Sequence, residues 1–394
     1  MSLRLGWLAE VLGDSPTLKL SSQAKQLIKA GEPVINLTAG EPDFPTPEPV
    51  LAAARRALED GRIGYTDSAG IPELRKLVAE YYSRTTGLEY TAGEVIVSNG
   101  AKQVLYNVLS VLLNQGDRVA VPVPYWVTYP AQVAALRGET VEIRPSNGWK
   151  VTATDLERDG AGSCRALILN SPSNPTGAVY DRAELEDLAE YCRRHEFFIL
   201  VDEIYEDLVY TAEGHVSLIQ VAPDLRRRIV RITGLSKSYA MTGWRVGFGL
   251  AEKDLTDAMT RLQSHSTSNI CTIAQKAALA AFDCRAQVET MRQAFQRRRD
   301  LLVSGLQGLP GVKADSPDGA FYLMLDCREL CGPRVDEDGC WRLATYLLER
   351  QKLATIPGKP FGAPGCLRLS FASSEDELRE AVGRLRQGLQ EFPG

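Results

Sequence analysis

Long apolar runs are missing from this chain. No stretch of its 394 residues approaches the ~18 uninterrupted apolar residues of a membrane-spanning helix, so a membrane partner is not expected. A basic excess is missing too. Forty-five Lys and Arg against 50 Asp and Glu leave a net charge of −5, which argues against a nucleic-acid footprint. Histidine is scarce, with only His195, His215 and His265. None lies near Cys327, Cys331 and Cys340, the one cluster among the eight cysteines, and no zinc-type spacing results. Most of the cysteines sit in apolar runs, as buried thiols do, rather than in a disulfide framework. There is no G-x-G-x-x-G after a strand and no P-loop, so a nucleotide-dependent oxidoreductase lacks support. Internal repeats and low-complexity segments are absent. The opening residues MSLRLGWLAEVLGDSPT have too short an apolar run, and turn acidic too soon, for a signal peptide. A cytoplasmic enzyme without bound metal is the expectation.

What is present is a regular alternation. Ser21 to Ala30 reads as a short helix, followed by a strand at 34–37 and a proline-rich loop, Gly40 to Pro49, that excludes a helix or central strand. A helix follows from Pro49 to Asp60. From Glu94 to about residue 285, strand, turn and helix repeat. Strands are expected at 94–98, 118–123, 139–144, 166–170, 197–201, 229–233 and 246–250, and a helix capped by Asp181 runs to Arg194. This predicts an α/β fold with a mainly parallel sheet between helices. The last hundred residues differ. A long polar helix over 286–306 carries Arg292, Arg297, Arg298 and Arg299 on a face expected to be solvated. Strands at 320–325 and 367–371, a helix at 341–351 and a final helix from Ser374 suggest a smaller α+β domain. The segment 21–37 is too short to bury a core alone and is expected to join it. The predicted division is an N-terminal arm (1–15), a discontinuous small domain (16–46 and 296–394) and a large domain (47–295).

The chemistry centres on GLSKSYAMTGWRVG, Gly234 to Gly247. An apolar β-branched run ends at Gly234, and Lys237 sits in the turn beyond. A lysine there is partly desolvated, which lowers its pKa and makes it a usable amine nucleophile for a carbonyl cofactor. Arg245 offers a planar fork suited to phosphate. Other candidates fall where a parallel sheet places ligands, beyond the carboxyl ends of its strands. Gly100, Ala101 and Lys102 open a helix after a strand and present free amides to an anion, though any strand–turn–helix looks similar. Asp202 ends the apolar strand FFILVDEIY and reads equally as a helix cap or turn residue. Asn174 lies in SPSNPTG, a common kind of loop. Trp126, or its neighbour Tyr125, reads equally as core, and Arg368 in CLRLSFASS as a surface arginine.

Together these segments resemble the class I aminotransferases, which depend on pyridoxal 5'-phosphate (PLP). Gly234, Leu235, Ser236, Lys237, Ala240, Met241, Gly243, Arg245, Val246 and Gly247 fit the family's PLP-attachment signature at every defined position, and the match runs in order from LTAGEPDF to RLSFASS. The nearest likeness is to the bacterial aspartate/prephenate branch. The resemblance implies fold type I, with a seven-stranded large domain. It implies a Lys237 Schiff base and general acid–base catalysis by the Lys237 amine. Asp202 would lie at the pyridine nitrogen and Tyr205 at the ring oxygen, with Trp126 stacked on the ring. Gly100, Ala101, Lys102 and Arg245 would hold the phosphate. Asn174 would touch both ring oxygen and substrate carboxylate, and Arg368 and Gly40 would hold the substrate. Tyr65 would reach the phosphate of the neighbouring subunit, so a homodimer with shared sites is implied. The Asn174–Pro175 bond is expected to be cis.

Two positions depart from the family pattern. Gly234 stands where other branches carry a phosphate-binding serine. Gly13 and Asp14 stand where this branch often has a basic residue for the substrate's distal carboxylate, which leaves that reader unassigned. The expected activity is transfer of an amino group between an L-amino acid, aspartate-like or aromatic or other, and a 2-oxo acid such as 2-oxoglutarate. A PLP-dependent lyase or cyclase on the same fold is the alternative. A non-catalytic PLP-binding regulator would need a DNA-binding helix-turn-helix, for which this chain has no residues to spare.

Overall fold

The computed structural model describes residues 5–13, 16–332 and 339–393. Asp14, noted above, lies outside them, as do the ends of the N-terminal arm. Among the described residues, twelve strands form three sheets. They are β1 (Ile35–Asn36), β2 (Val95–Asn99), β3 (Arg118–Pro122), β4 (Glu139–Ile143), β5 (Ala166–Asn170), β6 (Phe198–Asp202), β7 (Ile229–Gly234), β8 (Val246–Leu250), β9 (Tyr322–Asp326), β10 (Leu353–Ala354), β11 (Ile356–Pro357) and β12 (Cys366–Ser370). The central sheet has seven strands in the order β2-β8-β7-β6-β5-β3-β4. All neighbours run parallel except β8, which is antiparallel to both β2 and β7.

The apolar runs of these strands alternate between two cores. Val95, Val97, Leu167, Leu169, Ile199 and Val201 enter one. Ile96, Ile168, Leu200, Val230 and Ile232 enter the other. Helices cover both faces, so the inner strands bury both sides and read as near-continuous apolar runs, whereas the edge strand β4, ETVEI, is only partly buried. A third core lies against the small sheet β11-β12-β9. The helix Arg285–Leu306 joins two of the cores. Val288 packs into the first, while Met291, Phe295, Leu302 and Leu306 pack into the third. β1 pairs in parallel with β10, Ile35 beside Leu353, so the N-terminal segment does join the C-terminal one.

Several expectations are corrected. The first long helix spans Pro16–Lys29, five residues earlier than read, because proline is tolerated in a first turn where its missing N–H has no intrahelical partner. A short helix, Trp7–Val11, occupies the arm. Of the four arginines read as a solvated face, only Arg297 is exposed. Arg298 is buried and makes a two-pronged pair with Asp43 at 2.7 and 2.9 Å, a geometry its planar fork favours. Asn174–Pro175 is trans, and the cis bonds are Val123–Pro124 and Ser171–Pro172. The turn after Ser173 closes through ordinary backbone bonds, Ser173 N to Ala178 O and Gly177 N to Ser173 O. All eight cysteines are free; Cys271 is exposed and the other seven are buried.

One buried charge cluster fixes the segment after β6. Arg231 of β7 forms an ion pair with Glu203 at 2.8 Å and also pairs with Glu206. Burial disfavours the guanidinium charge, but the two carboxylates outweigh it and raise the Arg231 pKa. The same Glu206 accepts from Tyr82 and Thr233. Removing the cation would strand two carboxylates away from water. Arg231→Met is therefore expected to cost about 3–5 kcal/mol of stability in urea unfolding. Arg55→Met, which breaks only the exposed pair with Glu48, should leave the midpoint nearly unchanged. Equal midpoints for the two variants would refute the assignment.

Candidate active site

The carboxyl ends of β2, β5, β6 and β7 converge on a cavity of about 510 Å³. Its lining includes Gly40, Ala101, Lys102, Trp126, Asn174, Asp202, Tyr205, Lys237, Arg245 and Arg368, ten of the twelve residues singled out in the sequence. Because β8 runs opposite to its neighbours, Arg245, just before its first residue, arrives at the same edge. The register pairs Asn99 with Val246 and Gly234 with Gly247. A side chain on Gly247 would run into the backbone of Gly100 and Ala101, so only glycine permits this approach. Gly100 lies behind the lining with φ +82°, and a Cβ there would collide with the Arg245 guanidinium.

Lys237 is half-buried, and its Nζ donates to Gly40 O at 2.5 Å. Its pKa is lowered to about 8. Burial is the main cause; Arg245 and Arg368 push the same way, against Glu41 and Asp202. Asp202 is buried and accepts from Tyr129 Oη at 2.7 Å and from Ile204 N at 3.3 Å. Burial raises its pKa to about 6, with those hydrogen bonds and Lys237 opposing. Such an acid is suited to a cationic ring nitrogen, which would restore the partner that burial removed. Tyr205 Oη lies 3.0 Å from Tyr322 Oη, and burial holds its pKa well above the usual phenol range.

Arg368 on β12 is buried. Its guanidinium donates to Asn174 Oδ1 at 3.1 Å and Thr38 O at 3.0 Å, above the Tyr322 ring at 4.5 Å. Among the described residues its Nε has no hydrogen-bond partner. Burial lowers its pKa, yet an arginine stays charged. An orphaned donor on a buried cation marks a place for an anion. A second anion place lies where the helix Ala101–Leu112 begins. Its first amides have no intrahelical partner and carry the positive helix end. Arg245 covers this end, donating to Thr242 O at 2.9 Å and Asn99 O at 3.1 Å from a left-handed backbone, φ +56°. For a residue with a side chain that conformation is strained, as functional residues often are. Lys102 Nζ lies 4.7 Å from the Trp126 ring centroid.

The register question at 125–126 resolves plainly. Trp126 faces the cavity, while Tyr125 turns away to donate to Glu142 at 2.9 Å. Tyr65 does not reach the site of its own chain; it is 96 % exposed. The sequence reading missed Tyr129, which holds Asp202, and Tyr322, which supports both Tyr205 and Arg368. It also missed Ser236 as a buried hydroxyl at the cavity wall, and Glu41, Ser21 and Lys25. Tyr129 was within reach, since it stands three residues after Trp126 at the helical spacing that makes neighbours. At Gly234, where a serine was noted as missing, a Cβ would crowd Val246 O, so this register itself requires glycine.

The two anion places, the acid and the amine fit PLP: phosphate at the helix start, ring nitrogen at Asp202, aldehyde at Lys237. Fold and site thus define a PLP-dependent enzyme of fold type I. The chain belongs to the aminotransferase class I and II family, whose sequence description matches residues 32–385. It is 44 % identical over 386 residues to an aspartate aminotransferase of Geobacillus stearothermophilus, covering 96 % of this chain and 97 % of the relative. It is 40 % identical to a probable aspartate/prephenate aminotransferase of Aquifex aeolicus, covering 97 % of each. Among solved structures it resembles the Thermus thermophilus aspartate aminotransferase with maleate, at TM-score 0.91 and 40 % identity over 98 % of this chain and 100 % of that one. The activity is PLP-dependent transamination, and the lyase or cyclase alternative is not favoured.

The lowered Lys237 pKa sets a pH test. Only the neutral amine attacks an aldehyde, so PLP uptake by the unloaded chain should rise with pH and reach half its maximum near pH 8. Stopped-flow absorbance measures this, and a midpoint near the free-lysine value of about 10.4 would overturn the desolvation argument. Lys237→Ala should abolish the visible band of the bound cofactor.

Proposed function

We propose that this enzyme moves the amino group of a short L-amino dicarboxylate, aspartate or a close analogue, to a 2-oxo acid such as 2-oxoglutarate. The observation that carries the reading is the buried Arg368, held by Asn174 and Thr38 with Nε unpartnered, on the cavity that holds Lys237. The substrate named in the relatives, aspartate, supports it.

When bound, PLP supplies an aldehyde for the amino group and a ring that withdraws electrons from the substrate α-carbon. The protein's own residues do the rest. Arg368 grips the α-carboxylate with its fork and fixes the substrate's orientation. Lys237 Nζ takes the proton from the α-carbon and returns it elsewhere, a base and acid in one amine. Its lowered pKa suits this, because both protonation states are populated near neutral pH. Asp202 would hold the proton on the ring nitrogen, with Tyr129 orienting the carboxylate. Tyr205 would serve the ring oxygen, and Trp126 would pack on the ring. Asn174 holds Arg368 in place and would also serve the ring oxygen. Gly100, Ala101, Lys102 and Arg245 would hold the phosphate, with Ser236 as a further hydroxyl, and Gly40 lines the cavity.

Tyr65, exposed in its own chain, is assigned to the phosphate of a neighbouring subunit in a homodimer. The exposed Leu5, Leu8 and Leu12 of the arm are surface of the kind a second protomer covers. We keep the division into an arm (1–15), a small domain (16–46 and 296–394) and a large domain (47–295). The seven buried free thiols accord with a reducing cytoplasm.

The test is a half-reaction. Purified holoenzyme is mixed with single amino acids, without any 2-oxo acid. Aspartate or glutamate should convert the cofactor to its amine form and release the matching 2-oxo acid. Pyruvate and ammonia without the amine form would refute transamination. Arg368→Lys loses the fork and should lower kcat/KM for every amino acid by ~100-fold, a loss of about 2–3 kcal/mol. PLP affinity should be unchanged.

A further inference from the structure

We infer that Tyr322 is a positioning residue for the transamination: its hydroxyl donates to Tyr205 and so turns the single Tyr205 proton toward the cofactor's ring oxygen. The inference rests on the aminotransferase reading above and gives a task to a tyrosine that has none in it. Tyr205 stands in the turn beyond β6, and Tyr322 is the first residue of β9, in the small sheet. Both are buried and both line the cavity. Their oxygens lie 3.0 Å apart, and among the described residues neither hydroxyl has another hydrogen-bond partner. One proton therefore lies between the two oxygens and one is left over. The distance does not fix which is which, since either oxygen can donate. The direction has a consequence for the cavity. A Tyr205 that donated to Tyr322 would show only lone pairs to an electron-rich ring oxygen. With Tyr322 as donor, the Tyr205 proton is free to meet that oxygen.

The charges around the pair decide the direction. The Arg368 guanidinium lies over the Tyr322 ring, 4.5 Å from its centroid. A cation on a ring face draws on the ring's electrons, which makes the phenol a stronger acid and a better donor. Burial raises the Tyr322 pKa, and Arg368 is the first charge to oppose it, with Glu41 acting the other way. Tyr205 is the weaker donor of the two. Burial and Tyr322 hold it well above the usual phenol range; Arg368 opposes and Asp202 adds to the rise. The cation over its own ring, Lys237 Nζ, is farther off, at 5.9 Å. The guanidinium cannot drift from Tyr322, because Asn174 Oδ1 and Thr38 O clamp it. Tyr322 thereby ties the arginine proposed for the α-carboxylate, on β12, to the tyrosine proposed for the ring oxygen, beyond β6 of the other sheet.

The test uses PLP-loaded wild type, Tyr322→Phe, Tyr205→Phe and the double variant, with Tyr210→Phe as control. Tyr210→Phe also removes a buried hydroxyl, one bonded to Ala320 O, but Tyr210 is not in the lining of this cavity. The visible band of the bound cofactor is titrated with pH, without substrate. As pH rises, the Lys237 nitrogen joined to the cofactor sheds a proton and the ring oxygen keeps more negative charge. A donor to that oxygen therefore lowers the midpoint, and a weakened donor raises it. Tyr205→Phe should raise the midpoint by about 1 to 2 pH units, as loss of a hydrogen bond to a charged acceptor does. Tyr322→Phe should raise it by about 0.5, since it loses only the polarising of one bond by the next. The double variant should match Tyr205→Phe, because Tyr322 acts through Tyr205. Tyr210→Phe should keep the wild-type midpoint. With L-aspartate, Tyr322→Phe should lower kcat by about threefold and keep KM, because the phenylalanine ring still lies under Arg368. An unmoved midpoint in Tyr322→Phe would overturn the inference. So would a double variant shifted by the sum of the two single shifts, or an equal shift in Tyr210→Phe. The band needs no turnover. Half-reactions silent with every amino acid would count against the functional reading, while the titration still decides for or against Tyr322.

Discussion

A lysine amine held partly out of water in the company of two guanidinium groups is the constraint on which this molecule turns. In water, lysine is a cation and a poor nucleophile. Here burial and the like charges of Arg245 and Arg368 favour the neutral form. Neither arginine serves that purpose alone, since each is bonded to backbone carbonyls that hold it for an anion. The arrangement is therefore self-consistent only with anions present. On the proposed reading, phosphate and carboxylate would neutralise the two guanidinium groups and leave the Lys237 amine free to react. Without such ligands the site concentrates positive charge that nothing in its lining balances except Glu41 and the buried Asp202.

The sheet makes that concentration possible. Six strands run the same way and deliver their carboxyl ends to one edge, which supplies Asn170, Asp202 and the turn after Gly234. A seventh strand running the same way would have carried Arg245 to the far edge. β8 is reversed instead, so the residue before its start meets the residue after the end of β2. Gly247 against Gly100 is the closest point of that meeting and admits no side chain. Two glycines and a strand direction thus fix the distance between a helix start and a guanidinium. The cost is the left-handed backbone of Arg245, which the surrounding bonds hold in place.

Much of this was legible in the sequence, and the reasons differ by residue. The strands were readable because both faces are buried, so apolar runs of five mark them with little ambiguity. Lys237 was marked by the run before it, while Asp202 and Asn174, at and beyond the ends of such runs, took their roles from the resemblance. Trp126 and Arg368 had no local mark and were selected only by resemblance; geometry then separated Trp126 from Tyr125. Arg298 was misread because charge on a long polar helix looks solvated, and its partner Asp43 lies 255 residues away in the chain. Tyr322 was invisible for the same kind of reason. It occupies a core strand, and only the fold brings its hydroxyl to Tyr205.

The cations of the cavity divide by burial, and the division carries a functional logic. Arg368 is buried and clamped, so it is preorganised, and in the role proposed for it would impose one geometry on every α-carboxylate. A fixed group of that kind gives orientation but no discrimination, because all amino acids share the feature it binds. Discrimination has to come from the part of the wall that meets the varying side chain. The cavity wall away from the amine includes Ser21 and Lys25 of the Pro16–Lys29 helix and Asn36 of β1, elements that pack against β10. Residues far from the catalytic lysine in sequence are thereby free to change without disturbing the amine, the acid or the phosphate cradle.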